Sequence, residues 1–337
     1  RYTQVSEDQS DIVIVNDQIY EDVQGVGSGG YGSSGSTQNY ESLSSVFATD
    51  KKINEVSFYN GKVVFEQSSV DREDGYPGQK KLSKIKVYNL DIATNSYSLI
   101  KVIIFYQSYF NQGGSSPYLT SRIRLDAVEI CDKNENVVEK YQFSYNENVQ
   151  LPSRTSRKRD YWGYFNNKDN NTLVPQMTIP FQNSSGSATI DITIGSNITG
   201  SREPDPSFMQ AYMLKSISYP TGGKTDFEYE TNQYSDEQNN LKSAGGLRIK
   251  SIKSYDGIST IPIVKTYKYG LNESGGGRKN YFLNNYFFKT EQFNRFYYYN
   301  IFNPCGILKG TKRTRTYTSN PTIDIEPSKV CEAELVI

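Results

Sequence analysis

The tetrapeptide Gly222-Gly223-Lys224-Thr225 is the first place to look for chemistry, because glycines followed by Lys-Thr can cradle phosphates. A phosphate loop needs a further glycine five residues before Gly223, and that position is Ser218. It also needs a helix to start at the lysine, whereas Asp226 to Glu230 (DFEYE) alternate as a strand does. Pro220 presets a turn, and Gly222 and Gly223 tolerate positive φ. The stretch therefore reads as a hairpin corner, and Asp256-Gly257 reads as a second one. Gly25-x-Gly27-x-x-Gly30 matches a dinucleotide fingerprint as a string, but Tyr-Gly-Ser-Ser-Gly follows it and opens no helix. It reads as a flexible loop.

Other chemistry is thin. The chain has no histidine, which removes the usual general base and commonest metal ligand, and with them any Ser-His-Asp triad or Cys-His dyad. Asp132, Asn134 and Asn136 begin like a calcium loop, but Val137 and Phe143 stand where it wants Gly and Glu, so a turn is expected. Lys168-Asp169-Asn170-Asn171 offers cation-binding oxygens without a supporting pattern. Cys131, Cys305 and Cys331 form no Cys-x-x-Cys pair; bland buried or free thiols are expected, and a Cys305–Cys331 bridge stays open. No carboxylate pair stands out for glycoside hydrolysis. Tyr161, Trp162, Tyr164 and Phe165 could stack on a sugar ring; the plainer reading is that the single Trp anchors a loop or fills a core. No cofactor and no metal are expected.

The elements that must position these residues are strands. Tyr occurs 28 times, with Ser, Asn and Gly abundant, a composition suited to pleated half-buried surfaces and tight turns. One design recurs at residues 53–66, 82–109, 125–145, 214–229 and 247–269. It starts at Leu or Ile, runs through alternating apolar positions into an Asn-, Asp- or Gly-rich turn, and usually closes on Phe-x-Tyr or Tyr-x-Tyr. Asn60-Gly61, Gly222-Gly223 and Asp256-Gly257 mark three of the corners. Residues 152–212 interrupt the series as a loop-rich excursion, and Tyr281 to Asn303 is strongly aromatic, either a buried strand pair or an exposed patch. Lys plus Arg and Asp plus Glu are both 37, so no bulk charge draws the chain to nucleic acid or an anionic membrane. The basic run Arg154 to Arg159 reads as a solvated loop. No apolar run reaches the roughly 18 residues that span a bilayer.

LKSISYPTGGKTDFEYE resembles the YD repeat of Rhs-type proteins, with Tyr229-Glu230 where that family usually has Tyr-Asp, and Tyr255-Asp256-Gly257 resembles a second copy. RLDAVEI, LPSRTSRKRDYWGYFN and GGLRIKSIKSYDG are similar to the region ahead of the repeat array in Rhs-like proteins of Bacteroidota. The resemblance covers roughly residues 53–270, and the pairing of DYWGY (Asp160 to Tyr164) with YPTGG is its most specific part. It implies a long β-sheet spiralling into a hollow shell that can enclose a toxin, export by type IX secretion, and a role in adhesion or contact at the cell surface. The chain lacks a dense run of regular repeats and the core region that precedes the toxin in that family.

The expectation is an all-β chain of consecutive antiparallel hairpins in an extended or spiralling sheet. An irregular Gly/Ser-rich segment, in which Asp11 to Val15 (DIVIV) could form a short strand, spans 1–50, with hairpins over 51–151, the excursion over 152–212 and a YD-repeat-like region over 213–337. The expected function is a non-catalytic segment of a larger secreted or cell-surface protein, whose partner is the rest of its own chain or a secretion or surface complex. The alternatives are a carbohydrate-binding or adhesive module and a glycan-active enzyme.

Overall fold

Thirteen antiparallel strands join into one sheet in a computed structural model of the chain. The structure describes residues 2–26, 34–111, 116–182, 189–196, 200–236, 238–277, 289–299 and 307–318. Strands β1 (Tyr2–Val26), β2 (Ser34–Phe58), β3 (Gly61–Asp71), β4 (Lys80–Asp91), β5 (Ser96–Phe110), β6 (Arg122–Cys131) and β7 (Val137–Tyr145) pair each with the next. After an excursion, β10 (Leu214–Ser218) pairs directly with β7, and β11 (Lys224–Ser235), β12 (Leu241–Tyr255) and β13 (Ile263–Thr266) continue outward. At the other end, β15 (Ile307–Thr318) pairs with β1, and β14 (Lys289–Tyr299) forms the edge. Consecutive hairpins thus cover one another's edges, and the exposed rows of backbone groups fall at β13 and β14.

The recurring sequence design has a physical basis in its closing tyrosine. In the 125–145 hairpin the Tyr145 hydroxyl donates to the Leu125 carbonyl at 2.7 Å. In the 214–229 hairpin Tyr229 donates to Leu214 at 2.7 Å, and in the third Tyr269 donates to Ile249 at 2.5 Å. Each hydroxyl ties the second half of its hairpin back to the first strand, a bond worth about 1 kcal/mol. Tyr109 ends the 82–109 hairpin differently, accepting from the Glu73 N–H at 3.2 Å.

Two expectations change. The irregular segment expected over 1–50 is instead a pair of 25-residue strands, registered from Gln24 opposite Ser34 down to Tyr2 opposite Val56. Polar strand residues hid it: a ladder is made by backbone groups, and Ser, Thr and Gln keep them available without an apolar alternation to betray the strand. Gly25 lies in β1, while Gly27 and Gly30 lie outside the described residues. At the first corner, the turn residues are Tyr59 and Asn60, and Gly61 opens β3 opposite Phe58. Gly61 is needed for space rather than for φ, since a Cβ there would sit 2.3 Å from the Tyr88 carbonyl oxygen.

Residues 146–213 carry β8 (Met177–Gln182) and β9 (Thr189–Ile194), a separate two-stranded sheet, and the single-turn helix α2 (Pro206–Met209). Another single turn, α1 (Pro117–Thr120), links β5 to β6. Val174, Ile179 and Ile194 of the excursion bury themselves with Tyr317 of β15. Trp162 of the same excursion lies against β12. Those two strands are second and twelfth in the order, ten spacings apart. In a flat sheet that is about 48 Å at ~4.8 Å per strand. One short segment reaches both, so the sheet curls around it.

Candidate functional site

The excursion begins as a miniature hairpin built by DYWGY. Arg159 bridges Phe165, and the Asp160 N–H donates to the Tyr164 carbonyl at 2.7 Å. Asp160 Oδ1 accepts from the N–H groups of Trp162 and Tyr164, both at 2.9 Å, closing the turn from inside. Gly163 supplies the positive φ of 93° that the corner requires.

A buried polar network locks this turn to the irregular run around Arg202. The Arg202 guanidinium is 6% exposed and donates to the Asp160 carbonyl through Nε at 3.1 Å and Nη2 at 2.8 Å. Its Nη1 donates to the Leu173 carbonyl, and its plane lies 5.2 Å from the centre of the Tyr161 ring. Asn166, fully buried, donates to the carbonyls of Ser201 (2.8 Å) and Glu203 (3.0 Å) and accepts from the Lys168 N–H. Asn170 donates to the carbonyls of Arg157 and Ser201 and accepts from the Ser196 hydroxyl. Side chains here replace the backbone ladder that an irregular segment lacks.

Asp160 pays for that role in electrostatics. Its side chain is fully buried, and Oδ2 has no hydrogen-bond partner among the described residues. Burial pushes its pKa up to about 6, against the opposing pull of the backbone donors and of Arg202.

The network presents Trp162 to the sheet. A Cβ on Gly245 would lie 2.4 Å from Trp162 Cβ and 2.6 Å from Cγ, and one on Gly246 would lie 3.1 Å from the Tyr164 hydroxyl. Ala244, Gly245 and Gly246 are all buried, and β12 bulges here opposite Asn232, whose amide donates to the Gly245 carbonyl at 3.2 Å. Two glycines inside a strand mark close approach of another element, the one signal in the sequence that pointed to this dock. The network residues Asp160, Asn166, Asn170 and Arg202 carried no such signal. Gly245→Ala is expected to lower stability by about 1–3 kcal/mol and to red-shift the emission of the single Trp, read by urea titration followed by fluorescence.

The four aromatics that could stack on a sugar ring are not coplanar. Tyr161 and Trp162 meet at 88° with centres 6.3 Å apart, and Phe165 turns to Phe208 at 73° and 5.5 Å. Trp162 is half-buried on β12, and Tyr164 is 45% exposed. The turn residues do come together: Gly222 and Gly257 both adopt positive φ, and a Cβ on Gly257 would lie 2.6 Å from the Gly222 carbonyl oxygen. Lys224 opens β11 and pairs with Asp226 at 3.0 Å, while Thr225 is buried and bonds the Tyr219 hydroxyl at 3.1 Å. The GGKT stretch is thus a corner between β10 and β11. Asp132 folds back on its own turn, accepting from the N–H groups of Asn134 and Asn136 at 2.8 and 2.9 Å. Asp169 pairs with Lys158 at 2.8 Å while Asn170 points into the network, so those two oxygens do not converge. Cys131 is buried and free in β6; Cys305 and Cys331 lie outside the described residues. No helix among the described residues is long and apolar enough to cross a membrane.

No protein-family model and no curated protein matches the chain. Among solved structures, a porin-like protein from Bacteroides uniformis is similar at 8% identity over 89% of this chain and 95% of that one. Its TM-score of 0.18 is too low to carry any statement about fold or function.

Proposed function

We propose that the chain is a non-catalytic structural segment of a large exported or cell-surface Rhs-like protein, where it builds or caps a β-shell. The observation that supports this reading most is the curled sheet: one excursion touches both the second and the twelfth strand, and the hairpins between them wrap it. An open, curled wall of edge-covered hairpins around an internal plug is suited to enclosing or capping, and its partner is then the remainder of its own chain. The perpendicular aromatic rings give the adhesive reading less support. The test compares the longer parent protein with and without residues 51–277 under limited proteolysis. The reading expects the remainder to become protease-sensitive once the segment is deleted. Unchanged protection sinks it, and glycan-array binding abolished by Trp162→Ala would put the adhesive reading in its place.

A further inference from the structure

Where the excursion leaves the sheet, a cleft of about 360 Å³ opens between β6 and the DYWGY turn. Its charged lining side chains are Arg122, Arg154, Lys158 and Arg159, and among the described residues no carboxylate lines it. Two acids pair with these cations from outside the cleft. Asp74 is held by the fork of Arg72 at 3.0 and 2.9 Å and by the Ile123 N–H at 3.0 Å, and it reaches Arg154 only at 3.7 Å. Asp169 pairs with Lys158 from a largely exposed position.

Carbonyl oxygens hold the three arginines in orientation, with the Asp74 carboxylate as an additional ion partner of Arg154 at 3.7 Å. Arg122 donates to the carbonyls of Leu119, Ser121 and Pro152 at 3.0, 2.7 and 3.4 Å. Arg159 donates to the carbonyls of Ser156 and Arg154, and Arg154 donates through Nη2 to the Asp74 carbonyl at 2.6 Å. Arg154 Nε is buried and has no hydrogen-bond partner among the described residues. Burial, and then the neighbouring charge of Arg154, hold the pKa of Arg122 below its ordinary value. Crowded, preoriented cations with an unsatisfied donor favour a multiply charged oxyanion, which guanidinium forks match in geometry.

We propose that this cleft binds a tetrahedral oxyanion of the phosphate or sulfate kind, either free or carried as an ester on a glycan. Ser153 and Ser156 line the same cleft and can add hydroxyl donors.

Isothermal titration of the 337-residue chain with sodium phosphate, at ionic strength held constant with chloride, is expected to give saturable one-site binding. Arg154→Gln and Ser156→Asp should each weaken it about tenfold or more. Ser156 Oγ accepts from the Lys158 N–H at 3.1 Å, a bond an aspartate oxygen can keep, so Ser156→Asp brings a competing carboxylate into the cleft while preserving the turn. A second arm titrates a sulfated oligosaccharide and its desulfated counterpart. Sulfate-dependent binding tighter than that of phosphate assigns the ester-borne source; phosphate binding at least as tight assigns the free ion. Absence of saturable binding to both probes overturns the proposal. So does binding that both variants leave unchanged while their circular dichroism stays native.

Discussion

Arg202→Ala is expected to destabilise the protein by about 3–5 kcal/mol, the scale for removing one member of a buried charged network. The side chain fills three bonds at once: two to the Asp160 carbonyl and one to Leu173. Truncation removes those charged donors, each bond worth about 1.5–3 kcal/mol, although the Asp160 carbonyl keeps the Gly163 N–H at 3.2 Å. It also removes the cation over Tyr161 and the positive charge that favours the ionised Asp160. Arg202→Lys should recover only part of the loss, because a single ammonium cannot reproduce a planar fork directed at two carbonyls. Urea unfolding gives the magnitude. The emission of Trp162 tells whether the excursion lifts from β12 before the sheet melts: a fluorescence transition at lower urea than the circular-dichroism transition means that it does. Coincident transitions shifted by less than about 1 kcal/mol would show that Arg202 is not the keystone of the network.

The hairpins were legible because their information is local. Alternation in INEVSFYNGKVVFE or LKSISYPTGGKTDFEYE sets the facing of each strand, and the turn residues between set which strands meet. The strings that mimic ligand loops were resolved by the same local test, since Gly222-Gly223 is followed by strand alternation and Asp132 by turn residues. Most of β1, and β2 ahead of Ile53, escaped it because stretches rich in Ser, Thr, Asp and Gln carry no hydrophobic period. The locking network was illegible for a different reason. Asp160 and Arg202 stand 42 residues apart, and Asn166 meets Ser201 across 35. Nothing in one residue's neighbourhood announces the other. Only Gly245-Gly246, an oddity inside a strand, pointed to something landing there, and not to Trp162 as the residue that lands.

That division bears on the proposed role. The local code specifies a wall of hairpins, three of them tied by a closing tyrosine, and such a wall can lengthen by adding units. Curvature is a non-local property. It is set where the excursion grips β12 through Trp162 and β15 through Val174, Ile179 and Ile194. A shell segment needs both, a repeatable wall and a device that fixes how tightly the wall bends.

The bending device should be sensitive to pH through Asp160. Its carboxyl is raised to about 6 in the folded chain, against 3.8 when free. The group's contribution to stability is therefore fully present below pH ~4 and is lost as pH rises through about 6, because the folded state must then bury an ionised carboxylate. The difference between about 6 and 3.8 corresponds to about 3 kcal/mol. Asp160→Asn mimics the protonated acid: its Oδ1 can still accept from the N–H groups of Trp162 and Tyr164, and no charge is buried. Wild type and variant should match near pH 4, and the variant should be the more stable by up to about 3 kcal/mol at pH 7 and above. Other carboxylates, such as Glu129 beside Lys140 and Tyr106, have lowered pKa values and act in the opposite direction in both proteins. The informative quantity is thus the difference between the two stability curves rather than either curve alone. A difference that stays flat from pH 4 to 8 would mean that Asp160 is not buried as a charged group, and that the DYWGY turn is held without electrostatic strain.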